Sequence, residues 1–530
     1  MRNTPMATRG MVTAPHHLAS QAGLRVLREG GNAVEAMIAT AATIAVVYPH
    51  MNGLGGDNFW LVRAPGAAPV GIDACGAAAQ AATAEFYAAK GHGDKIPSRG
   101  PLAALTVAGA VSGWGEALRI AKTWGGTLPL SRLLEDAIHY AEAGFPATGS
   151  QHANTLAKQG EMTGAPGFAG AFTPGGAAPK PGDIFKQPAL AETLKRLAAE
   201  GTEGFYRGNL AKSIAADLAK AGSPLALADL ERHKALEVVP LTVQVGRHAV
   251  FNMPPPTQGL ASLIILGVYS RLGIKEAEGF DFVHDLVEST KQAFRVRDRY
   301  VTDPAFMTAD PKEFLTAPSL DRMAAGVDRA KAAPWPDANP NGDTVWFGCI
   351  DGAGRAVSTI QSLYWEFGSG TVLNETGITW QNRGTSFSLD PKGLNFLRPG
   401  RRPFHTIQPA MGLLADGRTM VYGTMGGEGQ PQTQAMVFAR HVLHGQELQA
   451  AVTAPRWLLG RTWGAETTNL RIENRFDPAV LAALKTAGHD VEVCGAFEEF
   501  MGHAGAIVHH PKGMLEGATD PRSDGGVAAF

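Results

Sequence analysis

The chain has 530 residues, with 47 Lys and Arg against 49 Asp and Glu and a formal charge of −2. No basic surplus exists to neutralise phosphates, which argues against a nucleic-acid partner, and at 45% hydrophobic and 18% charged residues a large core is easily built and global disorder is excluded. The 64 glycines and 34 prolines imply many tight turns, as in a loop-rich globular enzyme. Three cysteines, Cys75, Cys349 and Cys494, cannot form a disulfide framework and contain no CxxC pair. The opening Met1 to Ala14 is polar, without the apolar stretch of a signal peptide, and the longest apolar run, Ala36 to Val47, is too short to span a bilayer. The expectation is a cytoplasmic protein with no membrane partner.

The first predicted helix runs from Leu18 to Glu29 and ends at Gly30-Gly31. A second, Ala33 to Val47, is apolar nearly all round and reads as buried; Pro49 stops it. A glycine-dense turn, Gly53-Leu54-Gly55-Gly56, leads into a strand over Phe59 to Val62. Ala165 to Gly182 is mostly Gly, Ala and Pro and reads as a surface loop, whereas Leu236 to Val250 alternates like a strand pair before the rigid turn at Pro254-Pro255-Pro256. A long helix is predicted over Phe282 to Tyr300. Between Ala325 and Asp343 the pattern dissolves. Order then returns as a β-hairpin: Thr344 to Ile350, the turn Asp351-Gly352-Ala353-Gly354, and Arg355 to Tyr364. Further strands are predicted at Met420 to Gly423 and Ala506 to His509.

Generic motifs are missing. The sequence has no GxxxxGK[ST] phosphate loop, GxSxG elbow or HExxH pair, and the glycines at 53, 55 and 56 do not match a dinucleotide fingerprint. The sixteen histidines show no ligand spacing, and His16-His17 and His509-His510 read as surface residues. No cofactor or metal is expected. The informative feature is the break at Asp343–Thr344, where a polar segment runs into a strand that opens on a hydroxyl residue. Cleavage before Thr344 would set its hydroxyl beside a free α-amine, whose reference pKa of about 7.7–8.0 suits a base near neutral pH. On spacing alone, an ordinary strand-opening threonine is the favoured reading, because many threonines open strands.

Ordered matches along the chain carry a resemblance. They comprise Gly31-Asn32-Ala33-Val34-Glu35-Ala36, Gly53-Leu54-Gly55-Gly56, Met253-Pro254-Pro255-Pro256, the hairpin from Thr344, Phe367-Gly368-Ser369-Gly370, Arg402-Pro403, Met425-Gly426-Gly427, Ala454-Pro455-Arg456 and Asp520-Pro521-Arg522-Ser523. With these the sequence resembles the γ-glutamyltranspeptidase family of self-cleaving N-terminal-nucleophile hydrolases. The resemblance implies an α/β fold, the αββα four-layer sandwich, formed jointly by a large segment, 1–343, and a small one, 344–530, intertwined in one domain. It implies Thr344 as nucleophile for self-cleavage and catalysis, Ser362 as its hydrogen-bonding partner, and the amides of Gly426 and Gly427 as the oxyanion hole. The two cleavage products would associate as an αβ heterodimer, which can itself pair into a dimer.

Departures from the family pattern bear on substrate. The family's arginine for the substrate α-carboxylate falls on Cys75, its aspartate for the α-ammonium on Ser386, and an asparagine at that end on Tyr364. Paired serines become His405-Thr406, and a neutral glutamine becomes Arg383. Losing both charged clamps argues against a γ-glutamyl group, while Arg383 offers a fork for a carboxylate nearer the scissile carbonyl; an arginine paired with a structural acid is the alternative. Trp346, Tyr364 and Trp365 either narrow the acyl pocket or belong to the core. Within the family the sequence is most similar to the oxamate amidohydrolases, which convert oxamate to oxalate and ammonia in bacterial purine catabolism. The resemblance therefore implies an amidohydrolase of a small carboxylated amide, with Arg383, Tyr364, Ser386, His405 and Thr406 around the substrate. A γ-glutamyl hydrolase or transferase, a glutaryl- or cephalosporin-type acylase, and a non-catalytic homologue stay open as alternatives.

Overall fold

The computed structural model describes residues 3–335, 343–460 and 467–530. Two seven-stranded sheets, antiparallel throughout, form its centre. The first orders Gly526–Ala529, Gly10–Ala14, Asp343–Asp351, Ala356–Tyr364, Asp57–Arg63, Val70–Ala74 and Leu236–Val238. The second orders Met6–Ala7, Leu515–Thr519, Gly505–His509, Thr419–Gly423, Ala410–Leu413, His248–Asn252 and Leu241–Val245. Each sheet takes strands from both sides of residue 344.

Alternation along the strands builds the layers, because successive side chains point to opposite faces. Phe59, Leu61, Trp346, Ile350 and Ile360 join Met411, Val421 and Ile507 in an apolar layer between the sheets. Their neighbours Trp60, Val62, Val345, Phe347 and Cys349 face away, onto the helix Ala33–Val47 and its surroundings. The outer face of the second sheet carries Gly259–Tyr269, Phe280–Tyr300 and Gly429–Phe438. The result is helix, sheet, sheet, helix, the four-layer αββα sandwich that the resemblance implies.

The predicted helix Ala33–Val47 forms with those bounds and is buried along its whole length. Asn32 accepts from the Val34 and Glu35 amides while Glu35 accepts from the Asn32 amide, a capping box whose loss costs about 1 kcal/mol. Asp351, in the hairpin turn, accepts from the Ala33 amide at 3.0 Å and ties the hairpin to this helix.

Several expectations need correction. His16 is buried, not superficial: its Nδ1 accepts from the Leu18 amide and caps the helix His17–Arg28. The stretch read as the loop Ala165 to Gly182 contains a helix, Phe168–Phe172, whose two phenylalanines pack against buried Phe367. Leu236 to Val250 holds three strands rather than two, because Leu236–Val238 joins the first sheet and only the next pair forms a hairpin in the second. Of the segment expected to be irregular, 336–342 lie outside the described residues. The part before it lacks regular structure but is held to the helix Phe280–Tyr300 by Lys291 Nζ to Ala333 O at 2.7 Å and Arg329 Nε to Asp285 Oδ2 at 3.0 Å. Among the described residues, no helix is long and apolar enough to cross a membrane.

Candidate active site

The hairpin sets the site. Asp343 pairs with Tyr364 and Val345 with Gln361, so the ladder slips between them and Thr344 sits at the irregularity. Such bulges re-aim a side chain near the end of a strand pair. Thr344 is buried, and its Oγ1 donates to Ser362 Oγ at 3.2 Å. Ser362 Oγ also accepts from the Tyr364 amide at 2.8 Å. Tyr364 has φ 86, a left-handed conformation that costs a bulky residue about 1–3 kcal/mol unless its surroundings hold it. The glycine turn before Asp57 is needed for contact: a Cβ on Gly56 would lie 2.1 Å from Ser362 O, and one on Gly55 2.1 Å from Thr379 O. Only glycine lets this turn lie against the strand that carries Ser362.

The strained Tyr364 backbone places its ring over the Arg383 guanidinium, 3.6 Å from ring centroid to Cζ. Arg383 opens the 3-10 turn Arg383–Ser386 and is fully buried. Its Nη1 donates to Thr406 Oγ1 at 3.1 Å, while Nε and Nη2 have no hydrogen-bond partner among the described residues. No described carboxylate forms an ion pair with it, so the reading of Arg383 as one half of a structural salt bridge finds no partner here. Burial lowers its pKa to about 10, which still leaves it charged at neutral pH. A buried cation with two unused donor nitrogens in a fixed fork is suited to an incoming carboxylate.

The other predicted residues are disposed differently. His405 and Ser386 are already engaged. His405 Nε2 donates to Asp57 Oδ2 at 2.9 Å, and Ser386 Oγ donates to the Arg383 carbonyl at 3.0 Å. Burial, helped by Arg383, holds the His405 pKa well below its usual range, so its imidazole is neutral. Cys75 is buried beside Asp57 and His405, and burial pushes its thiol well up. Trp346 fills the space between the sheets, and its indole donates to Ser358 Oγ at 3.0 Å, a core role.

Gly426 and Gly427 lie at the end of the strand Thr419–Gly423, with φ of 114 and 51. Both are buried, and among the described residues no acceptor takes the Gly427 N–H. Gln258 secures this loop: its Nε2 donates to Gly427 O at 2.8 Å and to Thr406 O at 2.7 Å, and its Oε1 accepts from Arg297 at 3.1 Å. Gly502 packs against Gly426, and its carbonyl accepts from Arg456 at 2.6 Å. Arg456 in turn pairs with Asp520, and Arg522 with Glu473. The Ala454-Pro455-Arg456 and Asp520-Pro521-Arg522 motifs thus form a buried ionic scaffold behind the glycine pair. A cavity of about 370 Å³ lined by Arg297, Ser386, Phe387 and Glu428 adjoins the Arg383 turn and the glycine loop.

Sequence reasoning missed Asp57. Its Oδ1 accepts from the Gly76 and Gly109 amides and Gln381 Nε2 at 3.0–3.1 Å, and burial raises its pKa to about 7 against the pull of Arg383 and these donors. The available signal was one acidic residue at the head of a strand whose centre, Phe59 to Val62, is apolar. Spacing also gave no hint that the described residues include two sets of three metal-ligand atoms within 4.8 Å: Asp57, Cys75 and His405, and His284, Glu288 and His489. In both sets the carboxylate already has protein partners. Protein donors occupy Asp57 and Arg383 lies nearby, while the Lys291 ammonium pairs with Glu288 at 2.7 Å.

Comparison with known proteins agrees with this architecture. A family model described as gamma-glutamyltranspeptidase matches residues 19–530. The chain is 55% identical to an oxamate amidohydrolase proenzyme of Klebsiella pneumoniae, over 100% of both chains. It is 30% identical to a glutathione hydrolase proenzyme of Escherichia coli, covering 98% of this chain and 91% of that one. Among solved structures it is similar to a cephalosporin acylase from Bacillus halodurans, with a TM-score of 0.91 and 34% identity over 100% of this chain and 97% of that one.

Proposed function

Since the chain belongs to the γ-glutamyltranspeptidase family and is an amide-hydrolysing enzyme, we propose that it cleaves itself before Thr344 and hydrolyses oxamate to oxalate and ammonia. The observation that carries the substrate is Arg383: a buried guanidinium, stacked on Tyr364, with Nε and Nη2 unpartnered among the described residues. Oxamate needs no ammonium site and sets its carboxylate one bond from the reacting carbon. The full-length 55% identity to an oxamate amidohydrolase supports the same choice.

In this reading, residues 1–343 and 344–530 stay associated as two subunits after cleavage. The freed α-amine of Thr344 takes the hydroxyl proton as Oγ1 attacks the amide carbonyl, and Ser362 orients that hydroxyl. The Gly426 and Gly427 amides hold the oxyanion; removing one such donor from a preorganised site costs about 100-fold or more in rate. The amine returns the proton to the leaving nitrogen, and ammonia departs. Water then adds to the oxalyl ester, the C–O bond to Thr344 breaks, and oxalate leaves with the nucleophile restored.

A glutaryl-type acylase is the second reading, favoured by the 0.91 TM-score to a cephalosporin acylase. The test is hydrolysis by the mature protein of oxamate, γ-glutamyl-p-nitroanilide and glutaryl-7-aminocephalosporanic acid side by side. Ammonia release from oxamate, with the other two turned over about 100-fold less efficiently or worse, is expected. Turnover of either of those with none of oxamate overturns the proposal.

A further inference from the structure

Resting on the reading that Arg383 holds the substrate carboxylate, we propose that Asp57 is a positioning residue that fixes the span between Thr344 and the Arg383 guanidinium, and so selects amides whose carboxylate is attached directly to the reacting carbonyl. Its main chain faces one end of that span. Asp57 stands in register opposite Ser362, the residue that receives the Thr344 hydroxyl at 3.2 Å. Its side chain reaches both supports of the other end. Oδ1 accepts from Gln381 Nε2 at 3.1 Å, two residues before Arg383, and Oδ2 accepts from His405 Nε2 at 2.9 Å. His405 adjoins Thr406, whose Oγ1 takes the Arg383 Nη1 proton at 3.1 Å. The Gly76 and Gly109 amides complete the grip on Oδ1 at 3.1 and 3.0 Å.

The four donors also explain what Asp57 does not do. It forms no ion pair with Arg383 among the described residues, so it does not occupy the fork that an anionic substrate needs. Asp57 acts through Gln381 and His405, and both of its oxygens are fixed by buried partners. The site is correspondingly stiff. An inserted methylene shifts a carboxylate by about 1.5 Å, and a misplacement of about 1 Å is enough to cost about 100-fold. A span held from both ends by one residue discriminates oxamate from its homologues.

The experiment measures ammonia release by the mature wild type, Asp57→Ala, Asp57→Asn and Gln381→Met with oxamate, malonamate and succinamate. For Asp57→Ala, the KM for oxamate is expected to rise about tenfold or more, kcat to fall about threefold or less, and the preference for oxamate over malonamate to shrink about tenfold. Asp57→Asn keeps an oxygen for Gly76, Gly109 and Gln381, so it restores the preference to within about threefold of wild type. Gln381→Met leaves the Gly76, Gly109 and His405 contacts of Asp57 in place, removes the Gln381 Nε2 bonds to Asp57 Oδ1 and to Val107 O, and serves if Asp57→Ala does not fold; it shifts KM and preference in the same direction. A fall in kcat with KM and preference unchanged, or an Asn variant as unselective as the Ala variant, overturns the inference. A wild type active on oxamate with unaltered variants removes the inference alone. A wild type inactive on all three amides removes the reading beneath it as well.

Discussion

Replacing Arg383 by Gln substitutes the residue that the family resemblance places at this position. The perturbation removes a buried cation whose Nε and Nη2 have no partner among the described residues and whose Nη1 is held by Thr406. Two charge-assisted hydrogen bonds to a substrate carboxylate contribute about 1.5–3 kcal/mol each. At about 1.4 kcal/mol per tenfold, and allowing for non-additivity, kcat/KM for oxamate falls about 100-fold at least. The variant gains no γ-glutamyl activity, because Cys75 and Ser386 still stand where the family's charged clamps would be. Stability moves the other way: an unpaired buried charge carries a desolvation cost, so Arg383→Gln has a melting temperature equal to or above wild type. Coupled measurements of ammonia release and thermal unfolding on one preparation test both halves. Retained activity, or a drop in melting temperature of more than about 5 °C, refutes the reasoning and makes Arg383 a structural residue.

Three other outcomes follow from the same geometry. Thr344→Ala remains one full-length band on a denaturing gel and releases no ammonia, whereas wild type resolves into two chains whose masses place the cut before Thr344. Gly426→Ala forces an L side chain into φ 114, with strain of about 1–3 kcal/mol, and lowers kcat about 100-fold with a smaller change in KM. The pH profile of kcat/KM is bell-shaped. The Thr344 amine must lose its proton to act as base, so kcat climbs through about 8. Asp57, raised to about 7 by burial, is neutral below that value and anionic above it. Its charge then opposes a carboxylate at Arg383, so the KM for oxamate increases as pH rises through 7, and this limb is flat in Asp57→Asn.

How much of this the sequence carried depends on the range of the interactions. The helix Ala33–Val47 and the hairpin from Asp343 to Tyr364 were legible because periodicity, caps and turn glycines are local signals. Arg383 stood out because a gained charge within a recognisable motif is visible in one dimension. Its lack of a carboxylate partner was not, since that is a property of the whole packed neighbourhood. Asp57 was missed for the same reason: its four donors come from residues 76, 109, 381 and 405, which the fold alone brings together. His16 illustrates the converse error, since a histidine pair at a helix start looks solvated until the cap and the burial are seen. Leu236–Val238 was read into one hairpin because alternation does not specify which sheet a strand joins.

The central claim is that Thr344 carries an oxalyl group during turnover. Mature protein mixed with saturating oxamate and acid-quenched within the first turnovers is resolved into its two chains, and the intact mass of each is measured. The account predicts that the chain beginning at Thr344 gains the mass of one oxalyl group, that fragmentation places it on Thr344, and that the adduct decays as oxamate is exhausted. Steady release of oxalate and ammonia with both chains unmodified at every quench time, or an adduct on another residue, contradicts it.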